Sequence, residues 1–336
     1  MLDIPGTYFS WNVLQPAQQS SNNTPSPANS NSETQAQSTA AVRPTQETIT
    51  CPVCQAPEVL KCAPPPTPKP CPPPPSPYDP KKVAFLVETR PLPHLPALFA
   101  HMASIIPPEW VFKLMGTTEV IEFMRSSPLI LRLENSRKIT FLDLPSTYTL
   151  KNRETISQMF TDPHLYRDIL HPAEHLLVFQ PDSIFCANAP RTLNDFLEWD
   201  WIGAPWSKTA TYGGNGGLSL RKVSKILKVL DKEKRKVGDG ALEDLWLSSR
   251  INGLEGKQIP VANVSKTFSV ESVWDDAPLG YHIGWLGVHH EQIWDDQAQV
   301  DHVMQYCPEV KMILGMKLDN DKPKAIKEAE EKENTA

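Results

Sequence analysis

Residues 175–186 read HLLVFQPDSIFC, residues 199–206 WDWIGAPW and residues 213–221 GGNGGLSLR. In the first stretch Leu176, Leu177, Val178 and Phe179 run unbroken into the polar stop Gln180-Pro181-Asp182-Ser183. A short continuous apolar run closed by turn residues suits a strand buried on both faces. Ligands in open α/β sheets collect outside the carboxyl ends of such strands, so Asp182 stands where a carboxylate can act on one. Further along come four glycines in five positions (213–217), then Glu243-Asp244, then His282 between Gly280 and Gly284.

Upstream, Val83 to Val87 reads as a first strand ending in Glu88-Thr89-Arg90. Leu95 to Ile106 has helical spacing and stops at Pro107-Pro108, which cannot continue a helix. Trp110 to Met115 reads as a strand, and Gly116-Thr117-Thr118 turns into a helix through Ile121 and Met124. Leu129 to Leu133 is expected to be a third strand, followed by Ile139 to Leu144. Thr149 to Leu170 reads as mainly helical, broken at Asp162-Pro163. Strands alternating with helices predict an α/β domain with a mostly parallel sheet covered on both faces. If the first strand and the 176–179 strand are parallel neighbours, Thr89, Arg90, Gln180, Asp182 and Ser183 line one crevice at one sheet edge.

Downstream, Leu193 starts a short helix, and Trp199, Trp201 and Trp206 follow. Core filling suits the first two. Trp206 suits equally the core or a platform for a sugar or base, because an aromatic face packs on C–H surface. The basic run 222–236 (KVSKILKVLDKEKRK) carries Val223, Ile226, Leu227 and Leu230 at helical spacing. It reads as a solvated helix face, or else as a phosphate-attracting field. Residues 213–217 form either a hairpin turn or a loop that lets backbone approach a ligand. They lack the Gly-Lys-Ser/Thr of a Walker loop and the GxGxxG spacing of a dinucleotide fold. Glu243-Asp244 opens a helix, where acids complement the dipole; one of them could instead take a proton from a hydroxyl. His282 is expected in a loop. Residues 297–306 (QAQVDHVMQY) read as a closing helix.

The 336 residues divide into an expected low-complexity, Pro-rich stem (1–80), one large domain (81–316) and a charged tail (317–336). Residues 15–41 hold almost no large apolar side chain and are expected to be disordered. Residues 63–80 predict an extended polyproline spacer, similar to the stalks that hold enzymes off a membrane. Cys51, Cys54, Cys62 and Cys71 fit disulfides, free thiols or, less well, zinc. Asn22 and Asn263 begin N-glycosylation patterns. The net charge of −6 gives no footprint for nucleic acid. With no long apolar run, membrane contact is expected only through an anchor that this chain does not contain.

The segments VFQPDSIFC (178–186), WDWIGAPW, GGNGGLSLR, LEDLW (242–246), FSVES (268–272) and PLGYHIGW (278–285), in this order, resemble the mostly fungal domain-of-unknown-function family 5672. That family in turn looks like a branch of the GT-A glycosyltransferases. The resemblance, covering about residues 80–307, implies a single GT-A-like, Rossmann-like domain that moves a sugar from a nucleotide-sugar donor to a glycan, protein or lipid hydroxyl. It implies a Golgi or other secretory location. It makes Asp182 the last carboxylate of a metal-binding Asp-x-Asp, and His282 the second ligand of Mn²⁺ or Mg²⁺. It makes Gly214, Asn215, Gly216 and Gly217, with Thr89, Arg90, Gln180, Ser183 and Trp206, the donor and acceptor contacts. Of the acidic pair Glu243-Asp244, Asp244 becomes the base. Gln180 departs from the pattern by standing at the first Asp. This leaves open a metal-independent reaction, with Arg90, Arg221 or Lys222 neutralising phosphate, or a non-catalytic carbohydrate- or nucleotide-binding module.

Overall fold

Six strands form the main sheet in the order β3-β2-β1-β4-β7-β6. They are β1 (Lys82–Glu88), β2 (Val111–Gly116), β3 (Ile139–Asp143), β4 (His175–Phe179), β6 (Trp201–Gly203) and β7 (Leu218–Lys222). The first four are mutually parallel; β7 runs antiparallel to both β4 and β6. The structure, a computed structural model, describes residues 76–283 and 296–314. Expectations for 1–75 (the four cysteines and Asn22 among them), for 284–295 and for the tail beyond 314 lie outside the described residues.

The unbroken apolar runs are explained by two cores, one on each face. Alternate residues sort cleanly: Ala84, Leu86, Phe112, Leu114, Leu177 and Phe179 face one core, and Val83, Phe85, Leu176 and Val178 the other. All but Val178 and Phe179 are wholly inaccessible, and those two nearly so. Each such Val, Leu or Phe side chain contributes roughly 1.5–3 kcal/mol relative to exposure, which fixes the strand register. The first core is covered by α1 (Leu95–Ile105) and α2 (Thr118–Arg125). The second is covered by α4 (Arg153–Phe160), α5 (Val223–Leu230) and α6 (Glu243–Asn252).

Leu129 to Leu133 is not a strand. It lies within helix α3 (Pro128–Asn135), with Pro128 in the first turn, where its missing N–H costs nothing. Only Ile130 of the apolar trio is buried, while Leu129 and Leu131 are exposed. The basic run supports its helix-face reading: α5 buries Val223, Ile226, Val229 and Leu230. Lys222 and Lys225 pair with the buried Asp200 (3.3 and 2.8 Å), and Arg235 pairs with Glu154.

A second, three-stranded sheet, β5-β9-β8, sits beside the first. It comprises β5 (Ser183–Phe185), β8 (Ser269–Val270) and β9 (Gly280–His282). His282 therefore ends a strand rather than occupying a loop. Helix α7 (Ala262–Phe268) precedes β8 and holds the Asn263 sequon, with Asn263 exposed and Ser265 buried. Helix α8 (Gln297–Tyr306) is joined to the end of β5 by a disulfide, Cys186–Cys307, which closes 121 residues of chain. Among the described residues no helix is long and apolar enough to cross a membrane.

Candidate active site

Strand β4 delivers Gln180-Pro181-Asp182 to the sheet edge, and a tight turn sends the chain into β5. The turn is held by Ser183 N–H on Gln180 O (3.0 Å) and by Gln180 N–H on Gly217 O (2.8 Å). Register in the small sheet then assembles a cluster. Ser183 lies opposite His282, and Ile283 N–H bonds Asp182 O, which sets Asp182 beside the imidazole. Val270 pairs with Tyr281, so the next residue, Glu271, arrives at His282 from the other side. His282 Nδ1 donates to Glu271 Oε1 (3.0 Å), while Nε2 faces Asp182 Oδ1 at 3.4 Å and Gln180 Oε1 at 3.3 Å.

Burial pushes the His282 pKa down, but the Asp182 and Glu271 carboxylates outweigh it and raise it to about 10. The Asp182 carboxyl is pushed up by burial, yet the charge and hydrogen bond of His282, helped by Arg90, hold it below the ordinary value. In this state the imidazole is a cation donating from both nitrogens.

The glycine loop crosses from this cluster to a second one. Gly213 and Gly214 have positive φ, which only glycine adopts freely. A Cβ on Gly217 would strike His282 Nε2 and Gln180 Oε1, and one on Gly216 would strike Glu243 Oε1 and Arg221. These last two glycines thus permit close approach of the protein's own charged side chains. Asn215 ties the loop to the first cluster: its Nδ2 donates to Glu271 Oε1 (3.1 Å), and its Oδ1 accepts from Gly217 N–H (2.5 Å).

Glu243 and Asp244 occupy the first turn of α6. Asp244 Oδ2 accepts from Gly216 N–H (3.1 Å). Glu243 Oε1 accepts from Arg221 Nη2 (3.1 Å), and its own N–H donates to Ser157 Oγ. Burial, then the charge of Asp244, raises the Glu243 carboxyl to about 7 against the pull of Arg221; burial also raises Asp244. Arg221 is wholly buried, with its guanidinium 4.2 Å from the Trp201 ring and 4.9 Å from that of Phe160.

A cavity of about 590 Å³ opens between the clusters. Gln180, Asp182, Trp206, Asn215, Gly216, Gly217, Glu243, Asp244 and His282 all line it. The remaining sequence candidates are not among the residues that line it. The Ser183 hydroxyl is buried and donates to Gly217 O (2.8 Å). Gly214 O takes the Trp201 indole N–H. Thr89 and Arg90 donate their backbone N–H to Glu88, whose carboxylate also pairs with the Arg90 guanidinium. Arg221 and Lys222 are engaged with Glu243 and Asp200, so neither is presented to a phosphate.

Sequence reasoning did not single out Glu271, which joins His282 to the glycine loop and whose Oε2 is buried without a partner. Glu271 follows strand β8, Ser269–Val270, which is too short to give the apolar run that marked Asp182. Sequence reasoning also missed the wall supplied by α4. Among the described residues no three His, Cys, Asp or Glu side chains form a ready-made metal cluster. However, once Nε2 gives up its proton to an incoming ion, an imidazole nitrogen with a carboxylate and an amide oxygen both within 3.4 Å is a donor set that a divalent ion accepts. A carboxylate on the far imidazole nitrogen is the usual outer-shell partner of such a ligand. The residues present fit a metal.

A family model described as a protein of unknown function, DUF5672, matches residues 138–282, which span both clusters. No curated protein sequence matches the chain. Similar solved structures include the mannosyltransferase PcManGT from Pyrobaculum calidifontis in complex with GDP-Man and Mn²⁺, at 11% identity and TM-score 0.39 over 71% of this chain and 70% of that one. The galactosyltransferase LgtC matches at 12% and 0.38, over 67% and 96%. The mannosyltransferase Ktr4p from S. cerevisiae matches at 9% and 0.28, over 40% of each chain. At such scores the likeness carries no argument about what this chain binds or does.

Proposed function

We propose that this chain is a metal-assisted glycosyltransferase that moves a sugar from a nucleotide-sugar donor to a hydroxyl acceptor. One observation carries the reading. An Asp–His–Gln cluster and an acidic pair, distant along the sequence, border a single cavity across a glycine loop that both clusters grip. Asp182, His282 and Gln180 would hold Mn²⁺ or Mg²⁺, with Glu271 orienting the imidazole. The ion, when bound, supplies Lewis-acid stabilisation of the charge that builds on the departing diphosphate.

The chain's own groups do the rest. Asp244 accepts the proton of the attacking hydroxyl, which typically contributes about 10²–10⁴-fold. Its raised pKa strengthens it as a base near neutral pH. Gly216 N–H, donating to Asp244 Oδ2, fixes the carboxylate plane. Arg221 pairs with Glu243 and pulls its pKa down against burial. Trp206 offers a ring face to the sugar. The Cys186–Cys307 disulfide favours an oxidising, secretory compartment.

The test is transfer from a nucleotide sugar by Asp182→Ala and Asp244→Asn, with melting followed alongside. Both variants are expected to lose transfer by at least about a hundredfold while remaining folded. Near wild-type turnover in either removes its assigned role. The alternative, a non-catalytic carbohydrate- or nucleotide-binding module in which Gln180 stands where a metal-binding carboxylate would, predicts binding with no turnover in the wild type.

A further inference from the structure

The cavity's two ends differ in chemistry, and the difference bears on what the acceptor is. Around the Asp182 turn and the glycine loop the lining carries Gln180, Asp182, Asn215 and His282, with Phe179 and Trp206 beside them. Along α4, the loop before it and the first turn of α6 it is Leu150, Ile156, Phe160, Leu242 and Leu245. Two polar side chains of α4 reach this wall, Arg153 and Ser157. The Ser157 hydroxyl already takes the Glu243 N–H. A polyhydroxylated chain laid on such a wall would find at most the Arg153 side chain and the Ser157 O–H as partners there, and each further hydroxyl buried unpaired is costly. The wall is also not closed. Leu150, Ile156 and Leu242 are half-buried, and Leu245 is 41% exposed although it directly follows Asp244. Apolar side chains that line a cavity and open beside the proposed base offer a contact surface for hydrocarbon.

We infer that the acceptor is an amphiphile: a hydroxyl presented to Asp244 by a molecule whose apolar chain lies against Leu150, Ile156, Leu242 and Leu245. This rests on the transferase reading and narrows its acceptor from glycan, protein or lipid to the lipid-like class. In the transfer, the acceptor oxygen forms the new bond to the anomeric carbon as the bond to the diphosphate breaks. The hydroxyl proton goes to Asp244 and the electron pair leaves with the nucleoside diphosphate.

The test compares n-octyl β-D-glucoside, below its micelle concentration, with methyl β-D-glucoside. The two share a head group and differ only in the chain. Titration into the full chain is expected to show the octyl compound binding at least about tenfold more tightly, since each buried methylene adds to the transfer free energy. Leu245→Ser, a change at an exposed position that the fold tolerates, is expected to cut that preference severalfold, and Ile156→Asn provides a second site on the same wall. Equal binding of the two glucosides, or a preference that survives in both variants, overturns the inference. Nucleotide-sugar hydrolysis by the same preparation separates the two claims. Hydrolysis without a chain preference sinks the amphiphilic acceptor and leaves the transferase. A chain preference without any nucleotide-sugar binding overturns the acceptor role together with the transferase reading.

Discussion

Replacing Arg221 with Met breaks the buried ion pair that keeps the acidic pair tolerable, and its cost is predicted to depend on pH. In the wild type the Glu243 carboxyl is raised from 4.5 to about 7, so the folded state prefers it protonated. The sign follows: the protonated group costs nothing below about pH 4.5, and the penalty grows through pH 7 to about 3 kcal/mol, where it levels off. Arg221 pulls that value down. Without it the Glu243 pKa rises further, and the penalty continues to climb by about 1.4 kcal/mol per pH unit where the wild type has levelled. The variant also loses hydrogen bonds to Gly216 O and Ser219 Oγ (both 2.9 Å) at every pH. Removing one partner of a buried pair typically costs about 3–5 kcal/mol. Urea unfolding at pH 5, 7 and 9 is expected to show the deficit of Arg221→Met widening from the first to the last. Arg221→Met/Glu243→Gln should recover most of the loss at pH 9. A deficit flat with pH, or a double variant no more stable than the single one, would refute the electrostatic account of this pair.

Three further expectations can be checked separately. The acid limb of the pH–activity profile lies above the ordinary carboxylate range, because burial raises the Asp244 carboxyl, and activity rises as Asp244 loses its proton; the charge of Glu271 adds to that rise, so in Glu271→Gln the limb moves to lower pH. Glu271→Gln keeps the shape but weakens the hold on the His282 ring, and a Mn²⁺ titration should show affinity reduced about 10–100-fold; unchanged affinity would remove Glu271 from the site. Cys186→Ser/Cys307→Ser opens a 121-residue loop, and equilibrium unfolding should register a loss of up to about 5 kcal/mol from chain entropy.

How far the fold can be read from the chain depends on the range of the determining contact. The buried strands β1, β2 and β4 were legible because a strand covered on both faces must be apolar throughout, and Gln180-Pro181-Asp182 marks where β4 has to stop. Leu129 to Leu133 misled for the same reason. Three adjacent apolar residues mimic such a strand, and only the packing shows that two of them face outward from a helix. His282 and Glu271 depend on the pairing of strands two and three residues long, too short to leave a periodic signal. The α4 wall looks, in sequence, like any helix with one apolar face. The Cys186–Cys307 bond joins positions that only the tertiary fold brings together, whereas the conspicuous cysteines at 51–71 fall outside the described residues.

The most direct test of the transferase account is hydrolysis of a panel of nucleotide sugars, GDP-mannose and UDP-glucose among them, by the purified full chain with and without Mn²⁺. The account predicts that at least one donor is hydrolysed, faster with the ion, and that Asp182→Ala removes the metal-dependent rate. A panel in which no donor is bound or turned over under either condition, or one whose turnover is indifferent to Asp182, would contradict it.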